Sequence, residues 1–93
     1  MTMLEKIKLA LRITTNAFDE EILDLQEAAL ADLALVGIEN PETDPLIARA
    51  IITYCRINFG EPDDYDRLKK SYDEQKAQLI MATGYGLPEE NNG

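Results

Sequence analysis

A protein without histidine must look first to its carboxylates and thiols for acid–base or metal chemistry. This chain holds 18 Asp and Glu, one Cys and no His. That inventory excludes a histidine base, a His-ligated metal and a Ser-His-Asp triad. A single Cys excludes an intramolecular disulfide and a thiolate zinc cluster. Asp19, Glu20, Glu21 and Asp24 could offer oxygens to a cation. An EF-hand loop, however, needs alternating ligands, a central Gly and a terminal Glu, and a di-iron bundle needs Glu-x-x-His pairs. Glu61, Asp63 and Asp64 could supply an acid–base pair. Such a pair needs one carboxyl buried so that its pKa rises, and these three stand at a capping position beside Pro62. Gly84-Tyr85-Gly86 follows a helical pattern and lacks the Lys-Ser/Thr of a phosphate loop. Cys55 lies among apolar residues and reads as a small buried hydrophobe. The sequence therefore predicts no catalysis, no cofactor and no metal.

The elements that carry these residues are all helical by their periodicity. With 93 residues, of which 45% are hydrophobic and 29% charged, the chain is long enough for one packed domain. Thr2 and Glu5 have the spacing of a capping box, and Leu4, Ile7 and Leu11 follow at helical steps to about Ile13. Thr14, Thr15 and Asn16 offer the next N-cap. A second helix is predicted over about Ala17 to Val36, with Phe18, Ile22, Leu25, Ala29, Leu33 and Val36 on one face and Gly37 as its stop. Residues 38–44 read as a polar loop. Asp44-Pro45 starts a third helix that runs to Phe59. It is apolar on two faces: Ile47, Ala50, Ile51 and Tyr54 on one, Ala48, Ile52, Cys55 and Phe59 on the other. Arg49, Thr53 and Arg56 mark its polar side, so it should sit in the middle of the fold. Glu61-Pro62-Asp63-Asp64 opens a fourth helix to about Thr83. Its stripe is Tyr65, Leu68, Tyr72 and Leu79, and its other side is a mixed-charge run. The expected fold class is all-α: a compact four-helix domain over residues 1–83 with a flexible C-terminal tail over 84–93.

What remains is surface. The second helix carries six acids (Asp19, Glu20, Glu21, Asp24, Glu27, Asp32) and no base, in a chain of net charge −9. Affinity for nucleic acid comes mainly from Lys and Arg, so this face should repel DNA. Glu20, Asp24 and Glu27 are the residues expected to form such a strip. Leu23, Leu30 and Ala34 form a second apolar line beside the core stripe. With Ile52 and Phe59 on the third helix they are candidates for contact between subunits. In the tail, Tyr85 and Leu87 are the candidate anchors for a partner. No apolar run approaches the roughly 20 residues needed to cross a bilayer. No leader of the secretory type is read at the N-terminus, so the chain is expected to be intracellular at synthesis.

Three blocks resemble a known family. Leu4-Glu5-Lys6-Ile7-Lys8-Leu9-Ala10-Leu11-Arg12-Ile13-Thr14-Thr15 with Phe18-Asp19-Glu20-Glu21-Ile22 looks like the opening of the small head–tail connector (adaptor, or DNA-packaging) proteins of tailed bacteriophages. Asp44 to Tyr54 with Asn58-Phe59-Gly60 is similar to that family's middle helix. Leu68 to Lys76 with Leu79 is similar to its last helix. The likeness spans about residues 3–83. It implies a structural, non-enzymatic all-α protein without cofactor, encoded by a phage or prophage. It also implies a homo-oligomeric ring, dodecameric in the virion, beneath the portal protein. Such a ring extends the DNA channel without sequence-specific binding and receives a tail-completion or head-closure protein. The expected location is the head–tail junction of the virion, with assembly in the host bacterial cytoplasm and no membrane partner. The strip of Glu20, Asp24 and Glu27, or part of it, would then face the channel. A competing reading is an acidic DNA mimic that occupies a host protein, or a small helical regulatory protein.

Overall fold

Side-chain caps start the first and third helices, and left-handed residues follow the ends of the first and second. The computed structural model describes residues 1–38 and 44–81. Its four helices are α1 (Met3–Leu11), α2 (Asp19–Ala34), α3 (Pro45–Asn58) and α4 (Tyr65–Met81), with no strand among the described residues. At the start of α1 the Glu5 amide donates to Thr2 Oγ1 (3.1 Å) and the Thr2 amide donates to Glu5 Oε1 (2.7 Å), closing the capping box. The same contact from the Thr2 backbone holds the Glu5 carboxyl below its usual pKa. At the start of α3 the Leu46 amide donates to Asp44 Oδ1 (2.9 Å) and Pro45 fills the first turn.

The helix ends correct the boundaries read from sequence. α1 stops at Leu11 rather than Ile13 because Arg12 turns left-handed (φ 62°). The Ile13 amide reaches back to the Lys8 carbonyl (2.9 Å), and Ile13 folds onto the core. This six-to-one bond is the Schellman cap, usually built on glycine. α2 ends the same way with the expected residue: Gly37 has φ 86° and the Ile38 amide donates to the Leu33 carbonyl (3.0 Å). Ile38 is buried, so the segment taken as a polar loop begins with a core residue. α2 starts at Asp19, two residues later than predicted. Thr15 does not cap it; its hydroxyl accepts from the Ala17 amide (3.1 Å) in the preceding turn. α4 begins at Tyr65, and its expected extension to Thr83 and the tail from 84 lie outside the described residues.

The third helix is central, as its two apolar faces require. It packs against α1, α2 and α4 and buries Ile47, Ala48, Ala50, Ile51, Cys55 and Ile57. Ile7 of α1, Ile22, Ala29 and Leu33 of α2, and Leu68, Tyr72 and Leu79 of α4 complete the core around it. Thr53, read as polar and exposed, is buried, and its hydroxyl donates to the Arg49 carbonyl one turn back (3.0 Å). That local bond removes the cost of burying a hydroxyl. Tyr65, placed in the α4 stripe by its spacing, is instead 48% exposed at the first turn.

Candidate functional site

The acids of α2 divide into two groups with different work. Asp19 and Asp32 are half-buried and tie α2 to its neighbours. Lys8 of α1 lies 2.9 Å from Asp19 Oδ1. Tyr72 Oη donates to Asp32 Oδ2 at 2.6 Å, and Lys76 Nζ donates to the same oxygen at 3.0 Å. Lys76 also sits 5.3 Å from the centre of the Tyr72 ring, which meets Tyr54 edge-on at 5.4 Å. Burial works to raise the Asp32 pKa. The hydrogen bonds from Tyr72 and Lys76 and the nearby ammonium charges outweigh it and hold the carboxyl below its ordinary value. Burial, together with the Asp32 carboxylate, pushes the Tyr72 hydroxyl well above its own. Sequence reading placed both Asp19 and Asp32 on the solvated side and assigned Lys76 to pairs within α4. The contacts across helices depend on the register of α2 against α1 and α4, for which single-helix periodicity carries no signal.

Glu20, Glu21, Asp24 and Glu27 form the second group. All four are exposed and have no ion pair among the described residues. Glu20, Asp24 and Glu27 recur at steps of four and three and so share one line along α2. That line points away from the buried stripe of Ile22, Ala29 and Leu33. Beside it run the apolar residues expected at a subunit contact. Leu23 is 43% exposed and Ala34 is exposed, while Leu30 is half-buried against the core. On α3, Ile52 is half-buried. Phe59 is half-buried and meets Phe18 edge-to-face at 5.5 Å, so part of its apolar surface is already used within the protomer. Exposed Leu9, Leu35, Leu46 and Met81 add apolar surface that the helical pattern did not single out. Tyr85 and Leu87 lie outside the described residues.

Chemistry is scarce among these groups. The cleft between α3 and α4 contains Asp32 and Asp73, but Tyr72 and Lys76 engage the first and Lys69 the second (3.3 Å). Asp64 pairs with Arg67 three residues on, and Glu61 and Asp63 are exposed. Cys55 is fully buried, which pushes its thiol up to about 12 and makes it a poor nucleophile at neutral pH. Among the described residues no group of three or more His, Cys, Asp or Glu could hold a metal ion, and no helix is long and apolar enough to cross a membrane.

The described residues form an all-helical domain in which Glu20, Glu21, Asp24 and Glu27 face outward. The family model of the phage connector proteins matches residues 3–86, and the chain belongs to that family. The match runs past the likeness read at 3–83, so Tyr85 falls inside it and Leu87 just beyond. Comparisons with curated proteins and with solved structures found no match. Family membership makes the chain a phage connector protein, which implies association with the virion.

Proposed function

We propose that this connector forms a homo-oligomeric ring, dodecameric in the virion, which docks beneath the portal protein and continues the DNA channel toward a tail-completion or head-closure protein. The observation that carries the reading is the family match across nearly the whole chain. Two surface features support it. The exposed apolar residues beside the α2 strip provide subunit contact area. The outward carboxylates provide a wall that DNA phosphate does not adhere to. The strip of Glu20, Asp24 and Glu27, in the part centred on Asp24, faces the channel in this reading, and Tyr85 and Leu87 anchor the C-terminal residues on the next ring. The DNA-mimic alternative draws less support. Asp19 and Asp32 are engaged by Lys8 and Lys76, so the six acids of α2 do not make one phosphate-like array.

Electron microscopy of the purified protein, alone at high concentration and with purified portal rings, tests the assembly. Closed rings coaxial with the portal are expected; a chain that remains monomeric and never binds portal overturns the reading. Replacing Asp24 with Lys should slow DNA passage in assembled particles, and unimpaired ejection would remove this residue from the channel wall.

A further inference from the structure

The two charged helices that flank the core interface carry single signs. α2 has only acids, and the charged residues of α3 are Arg49 and Arg56 alone. Both arginines are exposed on the outward side of α3, with half-buried Ile52 between them. Their guanidinium groups form no ion pair among the described residues, whereas Lys8, Arg67, Lys69 and Lys76 all do. The spacing Arg49-x-x-Ile52-x-x-x-Arg56 repeats that of Glu20-x-x-Leu23-x-x-x-Glu27 on α2. In each line the charges are seven residues apart, about 10.5 Å at 1.5 Å per residue. In each, an exposed or half-exposed apolar residue stands three places after the first charge.

Resting on the ring reading, we propose that adjacent copies of this chain join through these two strips, with Glu20, Leu23 and Glu27 of one protomer against Arg49, Ile52 and Arg56 of the next. Parallel alignment sets Glu20 to Arg49, Leu23 to Ile52 and Glu27 to Arg56 in register. Antiparallel alignment displaces only the apolar pair, by one residue. Neither strip complements itself: acid on acid and arginine on arginine repel, which disfavours a two-fold dimer through either. Two different, mutually complementary surfaces on one protomer permit a heterologous contact, the kind that closes into a ring, and the ring reading selects it over a reciprocal two-fold pairing. Asp24 lies about 40° round α2 from Glu20, on the side away from Leu23, and takes no part in the proposed pairs.

Charge reversal separates this contact from the ring reading itself. The substituted side chains are exposed, and circular dichroism should confirm an intact fold in each variant. Assembly is followed by native mass spectrometry and electron microscopy, alone and on purified portal rings. Glu20→Arg with Glu27→Arg, or Arg49→Glu with Arg56→Glu, should raise the concentration needed for ring formation at least about tenfold. The fourfold exchange should restore it, as should an equimolar mixture of the two reversed proteins, in which unlike copies alternate. Rings that form equally well from either reversed protein, or exchange without rescue, overturn the contact while leaving the ring reading in place. If the wild-type protein forms no ring even on portal, both fall.

Discussion

Asp32 is the residue in which charge, burial and tertiary contact meet. Its carboxylate receives Tyr72 Oη and Lys76 Nζ on one oxygen. Removing a hydrogen bond to a half-buried charged acceptor costs about 1–2 kcal/mol. Tyr72→Phe should lose that much in urea denaturation, and Asp32→Asn a similar amount. The double variant should cost less than the sum of the two, because both single changes break the same contact. Additive losses would show that the two side chains do not act together. The sign of the pH dependence follows from the lowered pKa of Asp32. A carboxyl depressed in the folded state contributes stability that is fully present above its unfolded pKa of about 3.9. That contribution is lost as pH falls through the lower folded value. The stability of the wild-type protein should therefore fall more steeply below about pH 4 than that of Asp32→Asn, measured by thermal unfolding across acid buffers. Parallel curves would remove Asp32 from the acid response.

At the scale of the helices, local chemistry decided the starts and tertiary packing decided the ends. Thr2-x-x-Glu5 and Asp44-Pro45 act through atoms within three residues, so both caps were legible in the sequence and are formed as read. Gly37 was legible as a stop for the same reason. Arg12 was not, because nothing in its type favours a left-handed backbone; burial of Ile13 against the core imposes it. The apolar stripes of α2 and α3 were visible from spacing. The tie of Asp32 to α4 was not, since it joins residues 40 and 44 positions apart. These two caps make a paired prediction. Gly37→Ala forces a side chain into φ 86° and should cost about 1 kcal/mol. Arg12→Gly relieves the same conformation at φ 62° and should leave stability at or above wild type, the greater freedom of unfolded Gly offsetting part of the gain. An Arg12→Gly protein clearly less stable in urea would mean that the arginine side chain, and not the turn, holds the end of α1.

Over the whole molecule, the packed core and the surfaces proposed for assembly occupy different residues, and this separates stability from function. The core is α3 wrapped by three helices, all within residues 1–81. The channel and subunit strips lie on the outward sides of α2 and α3, where substitution removes little buried area. The candidate strips were legible in the sequence as charge and spacing. What they face was not, because that partner is another chain. The anchors proposed for the tail, Tyr85 and Leu87, lie outside the described residues, whereas the described core ends on α4 at Leu79 and Ile80. Truncation after Thr83 should therefore leave the unfolding midpoint of the domain nearly unchanged, while joining of filled heads to tails falls. The two readouts are independent, a melting curve on purified protein and a head–tail joining assay with complemented particles. A truncated chain that melts well below the full-length protein would place these residues in the fold. One that melts normally and joins tails as well as the full chain would leave docking to the ring faces alone. Loss of joining with an unchanged melting curve, reproduced by Tyr85→Ala with Leu87→Ala in the full chain, would assign the docking contact to those two side chains.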